Sequence, residues 1–197
     1  MSLAQNSADS ADPYASHLRF LALLGRKFPL ASVLEFGIGR YSTAQFLDRQ
    51  VYPDLHSLLV VEDDGKWLAE MSAQLDQRVQ TLLVNRSDDA ARDIAKICDP
   101  RQLDLIFIDS GGSLIDRLKV ISAVATMDIR PDCMVVCHDT HRVPYQKAMA
   151  KSFRHTFQSR LEKPFTTCGW NENAWERSYH MQGLENEFRG PVIEEVA

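Results

Sequence analysis

Cysteine is scarce in this chain and badly spaced for metal. Its four cysteines, Cys98, Cys133, Cys137 and Cys168, form no Cys-x-x-Cys pair. That argues against a zinc ribbon or a disulfide scaffold and predicts a reducing, cytoplasmic setting. Long apolar runs are missing too: none approaches the roughly 20 residues of a membrane-spanning helix, so no membrane partner is expected. The first residues, Met1-Ser2-Leu3-Ala4-Gln5-Asn6-Ser7, lack the basic and apolar regions of a signal peptide. Basic charge is not in excess either. With 22 Lys and Arg against 27 Asp and Glu, the net charge is -5, which argues against a nucleic-acid partner held by bulk charge. The chain contains neither an internal repeat nor a low-complexity tract. Its 197 residues are the size of one domain with apolar content enough for a core.

What the chain does have is organised around Val33-Leu34-Glu35-Phe36-Gly37-Ile38-Gly39-Arg40-Tyr41-Ser42-Thr43. A short apolar run enters an acid and two spaced glycines, and helix-compatible residues follow. This predicts a strand, a tight turn and a helix, with glycine supplying positive φ and close backbone approach. A helix start adds unpaired N–H groups and a positive dipole end. Upstream, Leu18, Leu21, Leu24 and Phe28 mark one face of a helix over 15–28, which Pro29 ends.

Downstream the pattern alternates. Strands are predicted over 56–62, 79–84, 103–109 and 133–137, with helices over 66–75, 87–98 and 114–127 between them. Ser87-Asp88-Asp89 is expected to cap the helix that it opens. Continuous apolar strands separated by helices predict an α/β, Rossmann-like doubly wound sheet: five parallel strands covered on both faces. At the C-terminal end, 153–161, 165–170 and 175–181 are candidate antiparallel edge strands. The expected domain runs over 15–183, with a flexible tail over 1–14 and another over 184–197.

Ligands of such sheets bind beyond the carboxyl ends of the strands. Glu35, Glu62, Asp109 and Asp139 all fall at that edge, which makes it the expected site. A carboxylate at Glu62 can accept hydrogen bonds from both hydroxyls of a ribose. NAD and S-adenosylmethionine both carry one. Two features favour the second: Ser42 stands where Gly-x-Gly-x-x-Gly needs its third glycine, and Glu35 precedes the turn. An acid there can meet a cationic aminoacyl end, directly or through water, and would repel a pyrophosphate.

On these residues the chain resembles the class I S-adenosylmethionine-dependent methyltransferases. The likeness is nearest to small bacterial members whose fourth strand ends in Phe-Ile-Asp and whose fifth ends in His-Asp-Thr. It rests on Glu35-Phe36-Gly37-Ile38-Gly39, Ser42-Thr43, Glu62, the strand ending at Asp109, and His138-Asp139-Thr140, and covers roughly residues 30 to 145. The resemblance implies that Gly37 and Gly39 shape a methionine pocket and that Glu62 holds the ribose. It also implies that Ser87 and Asp88 lie near adenine, and that Asp109 faces the amino end and the transfer centre. Two departures stand out. Ser110-Gly111-Gly112 replaces the family's Gly-Asp-His after strand four, and Pro131-Asp132-Cys133 replaces Pro-Gly-Gly before strand five.

Methyl transfer from an activated sulfonium needs mostly alignment, whereas a hydroxyl acceptor must also lose its proton to a base or a metal. Asp109 and Asp139, ending neighbouring strands, are candidate ligands of a shared cation, Mg²⁺ by ligand type, with Thr140 as a weak third. His141 is the expected base, and His138 is expected to bond backbone. Trp170, Trp175 and Tyr179 are candidates for an acceptor wall, for core or for a homo-oligomer contact. The expected activity is methyl transfer to a small-molecule or sugar-linked hydroxyl or amine. The alternatives are a non-catalytic S-adenosylmethionine-binding module and a nicotinamide-dependent oxidoreductase, for which no Tyr-x-x-x-Lys motif is seen.

Overall fold

The computed structural model describes residues 12–159 and 163–172. The described residues open with a short 3₁₀ turn, Pro13–Ala15, capped by Asp12, and then α1 (Leu18–Lys27). β1 (Ser32–Phe36), α2 (Ser42–Leu47), β2 (Ser57–Glu62), α3 (Gly65–Ser72) and β3 (Val79–Leu83) make the first half. α4 (Ser87–Asp93), β4 (Leu105–Ile108), α5 (Leu114–Val124) and β5 (Met134–Cys137) follow. The chain then adds α6 (Val143–Ser152) and the antiparallel pair β6 (His155–Ser159) and β7 (Thr166–Trp170).

The seven strands form one sheet in the order β3-β2-β1-β4-β5-β7-β6. β1 to β5 run parallel, and β7 joins β5 antiparallel. The expected doubly wound α/β sheet with antiparallel edge strands is therefore the observed one. β1 lies beside both β2 and β4. The chain thus winds outward from β1 in one direction through β3 and in the other through β5. The carboxyl ends of β1 and β4 form the switch point where such sheets take ligands.

Side-chain alternation divides the core in two. Val33, Leu58, Val60, Leu105, Phe107, Met134 and Val136 pack with Phe20, Leu21 and Leu24 of α1 and Phe46 of α2. Leu34, Phe36, Leu59, Val61, Ile106, Ile108, Val135 and Cys137 pack with α4, α5 and α6. Glu35 falls on the first face between Val33 and Gly37, so the period of two drives a carboxyl into an apolar layer.

Three sequence expectations are corrected. Ser87 does not cap α4: the cap position is Arg86, without a side-chain cap bond. The helix itself is short and passes into a 3₁₀ turn, Ile94–Lys96. β3 is an edge strand with Gln80, Thr81 and Leu83 exposed rather than covered on both faces. And α6 lies where no element was expected; Pro144 in its first turn and the buried Tyr145 and Met149 are the signal. Trp170 is core, stacked on His155 with ring centroids 5.5 Å apart. The candidate strand 175–181, Trp175, Tyr179 and the tail 184–197 lie outside the described residues.

Candidate active site

The turn after β1 is built by two conditions on glycine. Gly37 has φ +91°, and a Cβ there would lie 2.7 Å from the Asp109 carbonyl oxygen and 2.8 Å from Ser110 Cα. Both the conformation and the close approach of β1 to the end of β4 therefore require a residue without a side chain. At Gly39 a Cβ would lie 2.5 Å from the Ser42 hydroxyl.

That hydroxyl is committed to Glu35. Ser42 Oγ donates to Glu35 Oε1 at 2.5 Å and Thr43 Oγ1 donates to Oε2 at 2.7 Å. Thr43 Oγ1 in turn accepts the Gly39 N–H at 3.0 Å. Glu35 has no exposed surface. Burial pushes its pKa up to about 8, the two hydroxyl bonds opposing, with Asp109 and Glu62 adding to the rise. Near neutral pH the group is therefore largely uncharged. Burial thus works against a negative charge on Glu35, which ties the turn to the start of α2 from beneath, and Ser42 serves the same tie.

Glu62, at the end of β2, is also nearly buried. Its Oε2 accepts the Ile38 N–H at 2.9 Å, and its Oε1 accepts the N–H groups of Asp63 and Asp64, both at 2.8 Å. Burial raises its pKa, and those backbone bonds oppose the rise. Glu62 thus fixes the glycine turn against β2 while lone pairs remain on its Oε2. Beside it Ser87 Oγ donates to Asp63 at 3.0 Å, and Asp88 pairs with Arg86 at 3.0 Å.

The ends of β4 and β5 carry a denser cluster. Asp109 and Asp139 do approach each other, and the cation between them is a guanidinium. Arg117 of α5 lies 3.0 Å from Asp109 Oδ1 and 2.9 Å from Asp139 Oδ2. It also donates twice to the Ser110 carbonyl, at 2.7 and 3.1 Å. Its plane lies over Tyr145, 5.3 Å from the ring centre. Arginine's planar fork suits this double bridge, and its charge relieves the carboxylate repulsion. The expected Asp109–Asp139 magnesium pair is corrected accordingly. Thr140 is no ligand: it is buried, accepts from Thr167 at 2.8 Å and donates to the Phe165 carbonyl at 3.1 Å. Asp139 itself has φ +63°, a conformation that Asp tolerates better than most residues and that stores strain.

Two histidines complete the cluster: His138, expected to bond backbone, and His17, which sequence reasoning did not place. His138 Nδ1 lies 3.2 Å from Asp109 Oδ2, and its Nε2 lies 3.0 Å from Ser16 Oγ. It therefore bonds side chains rather than only backbone. His17, at the entry to α1, is 2% exposed and packs edge-on to His138, with centroids 4.6 Å apart. Burial, with His138 adding to it, depresses His17 to about 4. For Asp109, burial acts to raise the pKa. The His138 hydrogen bond and the charges of His138, Arg117 and His17 outweigh it and hold the group below the usual carboxylate range. His141, the expected base, is exposed on the turn before α6. His17 lies far from the other site residues in the sequence, and only the packing of the N-terminal segment over the sheet edge brings it there.

No family model and no curated protein matches the chain. Solved structures do. Spermidine synthase from Thermotoga maritima superposes with TM-score 0.60 at 15% identity, over 83% of this chain and 62% of that one. A spermidine synthase in complex with the transition-state analogue AdoDATO gives 0.59 at 16%, over 83% and 62%. Human methyltransferase-like protein 13, in complex with SAH, gives 0.57 at 18%, over 90% and 92%. The chain spans less than two thirds of the spermidine synthases' own length. At these identities the likeness shows the fold: a mostly parallel seven-stranded Rossmann-like sheet shared with methyltransferases.

Proposed function

We propose that the protein transfers a methyl group from S-adenosylmethionine to a small-molecule or sugar-linked hydroxyl or amine, in the cytoplasm. The observation that carries this reading is the hydrogen-bond state of the glycine turn. Gly37 N–H donates to Val61, Ile38 N–H to Glu62 and Gly39 N–H to Thr43. A dinucleotide site needs such amides aimed at a pyrophosphate. Here three in succession are spent inside the protein, with a carboxylate on one of them. The turn suits a ligand that brings a ribose and a sulfonium rather than phosphates.

In this reading Gly37 and Gly39 border the methionine portion and the remaining lone pairs of Glu62 Oε2 receive a ribose hydroxyl. Ser87 and Asp88 flank the base, and Asp109 lies at the transfer centre. The Asp109–His138–His17 face receives the acceptor. The neighbours bound to SAH and to AdoDATO support an adenosyl ligand. The four cysteines are free, which agrees with a reducing compartment.

Thermal unfolding tests the reading. S-adenosylhomocysteine at 100 times its Kd should stabilise the protein by about 2.7 kcal/mol through mass action, and NAD should not. Stabilisation by NAD alone would overturn it. Stabilisation by the adenosyl ligand without turnover on any of a broad panel of hydroxyl and amine acceptors would leave the non-catalytic binding module in its place.

A further inference from the structure

The hydrogen bonds around His138 do not close. Ser16 Oγ lies 2.8 Å from the Pro164 carbonyl oxygen and donates to it. A hydroxyl has one proton, so Ser16 must receive its other bond, the 3.0 Å contact to His138, from Nε2–H. The neutral imidazole then presents a lone pair at Nδ1. What faces that lone pair, 3.2 Å away, is Asp109 Oδ2, which also has only lone pairs. Two acceptors at that distance need a cation between them, either a proton or a metal ion.

His17 separates the two possibilities. Both of its ring nitrogens are buried and, among the described residues, without a hydrogen-bond partner. Leaving a buried polar group unsatisfied is costly. A proton shared by His138 and Asp109 does nothing for His17. A metal ion would, because one nitrogen or oxygen from each of His17, Asp109 and His138 lies within 4.8 Å of the other two. The Asp109–His138 separation, 3.2 Å, already matches two ligands at about 2.1 Å from one ion. The surroundings agree. Arg117 holds Asp109 through Oδ1 and leaves Oδ2 to the ion, while Ser16 and Pro164 orient His138 from behind, as outer partners orient metal-bound histidines.

We propose that His17, Asp109 and His138 bind a divalent first-row transition metal ion, preferably zinc. Two imidazoles and one carboxylate select such ions over magnesium or calcium. Three protein ligands leave a position open, where an acceptor hydroxyl could bind and lose its proton more readily. That last role rests on the methyltransferase reading; the site itself does not.

The test begins with metal-free protein, prepared by chelation and dialysis, titrated calorimetrically with Zn²⁺ and Co²⁺. One equivalent should bind. Affinity should fall at least 100-fold in His17→Gln and in His138→Gln, stay unchanged in His141→Ala, and resist millimolar Mg²⁺. Imidazole ¹⁵N spectra of the wild type, with and without Zn²⁺, keep the question decidable if a variant fails to fold. Zinc should shift one nitrogen of His17 and Nδ1 of His138 together. No bound equivalent, unchanged affinity in both folded variants, or a His138 doubly protonated and unmoved by zinc would each overturn the site. S-adenosylhomocysteine is added to the same metal-free protein as a separate arm. Metal binding without adenosyl stabilisation would sink the methyltransferase reading and keep the site; the reverse would sink the site alone.

Discussion

The two halves of the carboxyl edge are constructed differently. At the ends of β1 and β2 the polar groups close on one another over short stretches of chain. Glu35 takes Ser42 and Thr43, and Glu62 takes the amides of Ile38, Asp63 and Asp64. At the ends of β4 and β5 they do not. Arg117 is shared between two acids, Asp139 sits in a left-handed conformation, and both nitrogens of His17 lack partners among the described residues. The first half spends its polar groups on shape. The second leaves both nitrogens of His17 without a hydrogen-bond partner among the described residues.

If that contrast is right, the second half depends on one side chain for its charge balance. Arg117→Ala should have the largest effect. It leaves Asp109 and Asp139 facing each other, and removing one partner of a buried ion pair typically costs about 3–5 kcal/mol. The two carboxylates retain 24% and 21% of their exposure, which places the expected loss at the lower end, about 3 kcal/mol. Urea unfolding would measure it. A loss under about 1 kcal/mol would mean that water screens the pair and that Arg117 does not organise the site. Arg117→Lys should recover only part, because a point charge cannot bridge both acids and Ser110 together.

The first half makes a different prediction, about pH. Glu35 has its pKa raised in the fold, from 4.5 to about 8. The folded state therefore holds a proton that the unfolded state has released throughout that window. Stability should be fully present below about pH 4.5 and fall as pH rises through about 8, by up to about 1.4 kcal/mol per pH unit from this group. Glu35→Gln, which keeps an uncharged group of the same shape, should flatten that slope. Unfolding free energies at pH 5.5, 7 and 8.5 for both proteins decide it; parallel curves would show that Glu35 is ionised in the fold and restore its charge to the site.

The same contrast explains what could be read from the sequence. β1 to β5 were legible because each is a short apolar run bounded by turn residues. Gly37 and the strand-end acids were legible because an apolar run ending in an acid or a glycine turn is a local pattern, even though their contacts reach across the sheet edge. Where sequence reasoning failed, the partner was far away. Arg117 was not singled out within the predicted helix over 114–127; nothing local says that α5 lays it between the ends of β4 and β5. His17 belonged to a helix whose apolar face was visible, while its neighbour His138 lies more than a hundred residues on. Glu35 was read as a charge because burial of an acid on the helix-covered face can be judged only once α1 and α2 are in place.

The smallest expected effect completes the comparison. His141→Ala should change stability by no more than about 0.5 kcal/mol, the usual range for an exposed side chain without special contacts. It should also leave S-adenosylhomocysteine affinity and the pH profile of turnover unchanged. The side chain is exposed on the turn before α6, whereas the imidazoles of His17 and His138 are packed against the strand ends. A base must reach within about 3 Å of the proton that it takes, directly or through one water. His138 and His17 stand beside Asp109; His141 does not. The measurement is a rate-against-pH series for His141→Ala beside His138→Gln, on any acceptor that the wild type turns over. A tenfold loss in the first with none in the second would move the proton chemistry out of the strand-end cluster and onto the loop, and the division between a shaping half and a reacting half would no longer hold.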